Sequence, residues 1–120
     1  MAVRQIWTPD RRDMIWIDCN PQAGREMRDV HPFLVLSPRA FNAHTGIVIG
    51  LPMTSAATNE TNPFAIRFSG PGRKVSYILG HQPKSYDWQA RGAKLHSWKQ
   101  VPVDVFERAC ETLNQIIKLL

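Results

Sequence analysis

The sequence predicts a mainly β protein, a small antiparallel barrel with one C-terminal helix. Three observations carry that prediction. Phe64, Ile66 and Phe68 alternate with Ala65, Arg67 and Ser69 as in an amphipathic strand, and Asp13–Cys19 reads as a strand whose two faces follow the period-two rule. Phe33–Leu36 and Ile47–Leu51 are short unbroken apolar runs, which suit central strands covered on both faces better than helices. After Pro102, Phe106, Ala109, Cys110, Leu113, Ile116, Ile117 and Leu120 recur at spacings of three and four, a single helical stripe. At 120 residues, 43% of them hydrophobic, residues 1–120 make one domain with a modest core.

Taken in order, residues 1–12 read as a loose N-terminal arm whose anchor is Trp7. A strand follows from Asp13, with Ile15, Ile17 and Cys19 on one face and Met14, Trp16 and Asp18 on the other. A dense polar loop leads to the next strand, Phe33–Ser37. Asn20-Pro21 turns the chain, Gly24 frees the backbone before Arg25 and Glu26, and Pro32 forces an extended entry. Phe41–Gly46 has turn chemistry and joins this strand to Ile47–Leu51. Pro52–Ser55 ends the third strand, and Ala56–Asn62 is a polar loop. The Phe64–Phe68 strand turns at Ser69-Gly70-Pro71-Gly72 and returns through Val75, Tyr77 and Leu79. So many short antiparallel strands in a small chain close into a barrel.

Residues 84–99 interleave Tyr86, Trp88 and Trp98 with Lys84, Arg91, Lys94 and Lys99. That mixture fits a single nucleic-acid strand held by phosphate contacts and base stacking. It fits equally well aromatics plugging the barrel while the cations face water. The helix, residues 102–120, opens on Pro102 with Asp104 near its positive end and Lys118 near its negative end. Its stripe faces the barrel, a partner subunit, or both.

The net charge of +5 favours an anionic partner. Cys19 and Cys110 match no metal-ligand spacing and read as reduced core thiols. The first twelve residues include Arg4, Arg11 and Arg12 without the apolar run of a signal peptide, and no window approaches the ~20 apolar residues of a membrane helix. These features predict a cytoplasmic protein without membrane association, and they make the Asn59-Glu60-Thr61 sequon irrelevant.

Three stretches carry a family resemblance: Ile15-Trp16-Ile17-Asp18, then Pro21-Gln22-Ala23-Gly24-Arg25-Glu26, then Pro32-Phe33-Leu34-Val35-Leu36-Ser37-Pro38. Together they resemble the signature of the MazF/PemK toxin ribonucleases. The run Gln82-Pro83-Lys84-Ser85-Tyr86-Asp87-Trp88-Gln89-Ala90-Arg91 is similar to a further motif of that family. The resemblance spans about residues 13–117. It implies an SH3-like barrel of the CcdB/MazF/PemK type, a homodimer, and RNA cleavage without metal or other cofactor. It also implies inhibition by a cognate antitoxin, whose tail should be acidic and disordered when free.

The chemistry expected of such a site is self-cleavage of single-stranded RNA. The 2′-hydroxyl attacks the adjacent phosphate, the 5′-oxygen leaves, and a 2′,3′-cyclic phosphate remains. This needs a base, an acid and donors for the phosphorane charge. By resemblance, Glu26 matches the family's loop glutamate and Thr54 its phosphate-touching threonine. His31 occupies the place of an arginine, a departure from the family pattern. Imidazole carries protons at neutral pH better than guanidinium. The expected assignment is therefore Glu26 as base, His31 as acid, and Thr54 with Ser55 as phosphate donors. Arg25 or Arg28 supplies fixed positive charge. His81, Gln82 and Lys84 are expected to line the RNA groove. Two other readings stay open at this point: a gyrase poison of the same fold, as in CcdB, or a non-catalytic nucleic-acid-binding barrel.

Overall fold

The third strand, β3 (Ile47–Thr54), is the hub on which the sheet curls. On one edge it pairs with β2 (Val30–Val35) through Gly50–Pro52. On the other it pairs first with β6 (Lys84–Asp87), through Ile47–Gly50, and then with β5 (Val75–Leu79), through Met53 and Thr54. One strand shared between two neighbours on the same edge bends the sheet into a half-barrel. The remaining strands are β1 (Asp13–Asp18), β4 (Ala65–Ser69) and β7 (Lys94–Gln100), and the order is β4-β5-β3-β2-β1-β7, all antiparallel. Among the described residues there are two α-helices, α1 (Arg39–Thr45) and α2 (Val103–Ile116). This computed structural model describes residues 7–119, so the first half of the predicted N-terminal arm, residues 1–6, lies outside the described residues.

The sheet is buried on both faces, which explains the unbroken apolar runs. Met14, Leu34, Leu51, Met53, Phe68 and Ile78 face α2 and pack with its Val105, Phe106 and Ala109. Ile15, Ile17, Cys19, Phe33, Val35 and Val48 form a second core on the opposite face with Tyr86 and Trp88. The alternation predicted for β1 is the one observed, with Trp16 remaining 39% exposed. Gly50 is required where β3 crosses β2, because a Cβ there would sit 2.0 Å from the Leu34 carbonyl oxygen.

Several expectations change. Phe41–Gly46 is the end of α1, not a turn: Pro38 sets its start, and Gly46 closes it at φ 74°. The helix buries only Asn42, so it has no apolar stripe from which periodicity can be read. β2 begins at Val30, earlier than predicted, because pairing with β1 extends it through Pro32 opposite Trp16. Residues 84–99 contain two strands rather than an open aromatic platform. Tyr86 and Trp88 lie in the core, and Trp98 stacks on Phe68 at 5.9 Å. Stacking of RNA on Tyr86 and Trp88 is thereby excluded. The first half of the α2 stripe packs on the barrel, whereas Ile116 and Ile117 are 43% and 42% exposed.

Candidate active site

The loop between β1 and β2 is closed at its neck by a reciprocal pair. Asn20 Nδ2 donates to Asp29 Oδ1 (3.1 Å), and the Asp29 N–H donates to Asn20 Oδ1 (3.0 Å). At the tip Gly24 takes φ 56°, the conformation its lack of a side chain permits. The Ala23 N–H donates to Glu26 Oε1 (2.9 Å), and the Lys84 ammonium pairs with Glu26 Oε2. Gln82 holds the peptide groups flanking Glu26. Its Oε1 accepts from the Met27 N–H (3.1 Å) and its Nε2 donates to the Arg25 carbonyl (3.3 Å). Beneath the neck, Arg91 lies 4.3 Å over the Tyr86 ring and donates to the carbonyls of Asp18 (3.0 Å) and Asn20. Burial pushes the Tyr86 phenol up to about 12 and raises the Cys19 thiol, so both stay protonated beneath the loop.

His31 sits on β2 opposite Ile17. The β2–β3 register pairs Phe33 with Pro52 and Leu34 with Leu51, and continued by two residues it sets His31 across from Thr54. Thr54 Oγ1 accepts the Ala56 N–H at 3.2 Å, which leaves its O–H available to donate. His31 and Thr54 form a wall shared by two clefts. The first, of about 350 Å³, adds Arg25, Glu26, Arg28, Asn59 and Gln82. The second, of about 330 Å³, adds Met14, Trp16, Val30, Pro32, Met53, Ser55, Pro71, Lys74, Ser76 and His96. Glu26, His31, Thr54, Arg25 and Arg28 thus line one cleft. Ser55 belongs to the second cleft. Lys84 reaches the site only through Glu26, and His81 lines neither cleft but lies 6.1 Å from the Phe64 ring.

Residues 10–117 match the family described as PemK-like, MazF-like toxin of type II toxin-antitoxin system. The chain belongs to this toxin family. The endoribonuclease toxin MazF of Escherichia coli K12 is 38% identical over 87 residues, 72% of this chain and 76% of its own length. Endoribonuclease PemK of Escherichia coli is 31% identical over 109 residues, 88% of this chain and 80% of its own. Among solved structures, MazF of Deinococcus radiodurans superposes with a TM-score of 0.82 at 31% identity, covering 92% of this chain and 97% of that one. A MazE–MazF complex from the same organism gives 0.78 at 25% identity, covering 96% and 100%. These MazF structures share the curled antiparallel half-barrel with one C-terminal helix, as the sequence predicted.

Trp16, Lys74 and His96, which line the second cleft, were not anticipated there from the sequence. Trp16 stacks on His96 with ring centroids 4.8 Å apart, and the Trp98 N–H donates to His96 Nδ1 (3.0 Å). Trp16 could have been singled out, being the one large aromatic on the face of β1 opposite Ile15 and Ile17. Lys74 and His96 left no signal, because their approach depends on the curl of the sheet.

Proposed function

We propose that this chain is the toxin of a type II toxin–antitoxin pair, a sequence-specific endoribonuclease that cleaves single-stranded mRNA without a metal ion and so blocks translation. The observation that carries the reading is the His31–Thr54 wall with Glu26 and two guanidinium groups around one cleft, in a member of the MazF/PemK family. Glu26 accepts the 2′-hydroxyl proton. Its two anchored oxygens retain lone pairs for this, a carboxylate offering about four acceptor sites. The 2′-oxygen then bonds to phosphorus, the bond to the 5′-oxygen breaks, and His31 donates a proton to the departing oxygen. Thr54, aided by Ser55, donates to the phosphorane oxygens, and Arg25 or Arg28 stabilises their charge. A 2′,3′-cyclic phosphate and a 5′-hydroxyl are left. Among the described residues, no three His, Cys, Asp or Glu side chains converge as ligands for a metal ion.

Inhibition follows from the same surface. An acidic antitoxin tail that orders over the Asn20–Val30 loop would cover Arg25, Arg28 and Glu26 together. Complexes of MazF with MazE among the related structures support such a partner, and a homodimer is the expected assembly. The endoribonuclease relatives favour RNA over gyrase as the target. Purified protein incubated with RNA in excess EDTA should still cleave, and end analysis should find cyclic phosphates. Dependence on added magnesium, 5′-phosphate ends, or gyrase poisoning without RNA cleavage would overturn the reading.

A further inference from the structure

The first cleft has two loops for walls. One, the Asn20–Asp29 loop, is held by Gln82, Lys84 and Arg91. The other leaves β3 after Thr54 and contributes Ala56 and Asn59. Its centre is a 3-10 turn, Ala57–Thr61, that buries none of its residues, so core packing does not fix its place. Its internal bonds are local. The Asn59 N–H and side-chain amide both donate to the Ala56 carbonyl (3.1 Å each), and Asn62 Nδ2 donates to Asn59 Oδ1 (3.2 Å). Among the described hydrogen bonds and ion pairs, Glu60 is the one residue of the turn that reaches another strand. Its Oε2 accepts the Tyr77 O–H and lies 3.3 Å from Arg67 Nε. Tyr77 on β5 is the register partner of Arg67 on one side and of Thr54 on the other. An ion pair as exposed as Glu60 with Arg67 contributes little by itself. Tyr77 is different: it is 3% exposed, and a carboxylate accepting its hydroxyl makes one of the stronger kinds of hydrogen bond. That bond to Glu60 raises the phenol above its ordinary value, so Tyr77 stays a donor.

We propose that Glu60 is a positioning residue for RNA cleavage: latched to Tyr77, it holds the Ala57–Thr61 turn so that the Ala56 N–H orients the Thr54 hydroxyl. This rests on the endoribonuclease reading above. The Ala56 N–H donates to Thr54 Oγ1 at 3.2 Å, which occupies a lone pair and leaves the proton free for a phosphorane oxygen. With the latch open, Ala56 shifts with the turn and the hydroxyl rotates freely. It must then be ordered again in the transition state, so the loss falls on kcat and not on binding. Glu60 itself touches no reacting atom.

Two measurements test this on the full chain. The first is cleavage kinetics. Tyr77→Phe keeps the buried ring and removes only its bond to Glu60, and Glu60→Ala removes the latch from the other end. Each should lower kcat roughly tenfold with KM nearly unchanged, short of the ~10²-fold that a 1 Å misplacement costs. Glu60→Gln, which keeps an acceptor for the phenol, should retain most of the parental rate. In a Thr54→Val background Tyr77→Phe should cost nothing further, because the group it positions is gone. Parental kcat in both latch variants would overturn the proposal, as would a raised KM at constant kcat. So would a Glu60→Gln variant as slow as Glu60→Ala, or an undiminished loss in the Thr54→Val background. The second measurement is amide hydrogen exchange on the protein without RNA. In Tyr77→Phe the Ala56 and Asn59 amides should exchange roughly fivefold faster, one hydrogen bond's worth of local stability, while β2 and β3 keep their protection. That result supports the latch even if the parent cuts no RNA, so failure of the latch and failure of the endoribonuclease reading are told apart. Unchanged exchange at both amides, or a loss of protection spread over the whole sheet, would overturn the latch.

Discussion

The Asn20–Asp29 loop and the stretch from Gln82 to Lys99 both carry cationic side chains and family motifs, yet the fold uses them in opposite ways. In the loop, Arg25 and Arg28 are exposed and point their charge at a cleft shared with His31 and Thr54. In the second stretch Gln82, Lys84 and Arg91 are turned upon the loop. Gln82 grips the peptides on either side of Glu26, Lys84 pairs with its carboxylate, and Arg91 ties the loop's neck over the Tyr86 ring. In the proposed function one motif supplies chemistry and the other supplies the frame that holds it. The same residue types serve both purposes because a guanidinium or an amide pairs equally well with a phosphate or with a backbone carbonyl. What separates them is which partner the tertiary structure brings within about 3 Å.

Breaking the chemistry should have the largest effect. His31→Ala is expected to lose roughly 10²–10⁴-fold in kcat/KM, the range of a positioned acid or base, with the unfolding midpoint nearly unchanged. His31→Arg, which restores the residue type the family resemblance places there, should keep some activity. Parent-like cleavage by His31→Ala across the pH range would remove His31 from the mechanism.

Loosening the frame should cost less and show differently. Gln82→Ala removes two hydrogen bonds that set the loop's position, worth about 1 kcal/mol each, and should lower kcat roughly tenfold while KM changes little. A rise in KM at constant kcat would mean that Gln82 contacts the RNA directly, the role expected from the sequence, and the division between the two stretches would blur.

The smallest effect concerns stability rather than rate. His96 is 7% exposed, and burial lowers its pKa below the ordinary imidazole value near ~6.5. As pH falls through that value the unfolded chain binds a proton before the folded one does. The stability His96 contributes is therefore complete above the ordinary value and is lost as pH drops towards the folded one. Urea unfolding at pH 7.5 and 5 should show a larger acid loss in the parent than in His96→Gln. Equal losses would mean that His96 accepts the proton freely in the folded state.

The strand pattern of β1, β4 and β5, the apolar runs of β2 and β3, and the α2 stripe were all legible in the sequence, because burial against a core imposes its period directly on the side chains. The same holds for the candidacy of Glu26, His31 and Thr54, where local motifs carry the resemblance to the family. Other features were not legible. The short helix α1 buries one residue and leaves no periodic trace, and β6 hides its single inward ring, Tyr86, between exposed Ser85 and Asp87. The aromatic-basic mixture of residues 84–99 allowed two readings, and only the sheet's curl put Tyr86 and Trp88 in the core and Trp16 against His96. Periodicity reports whether a side chain is buried. Which groups meet is decided by strand register and by the curl at β3, through contacts such as Gln82 to Met27 and Trp16 to His96, separated by 55 and 80 residues along the chain.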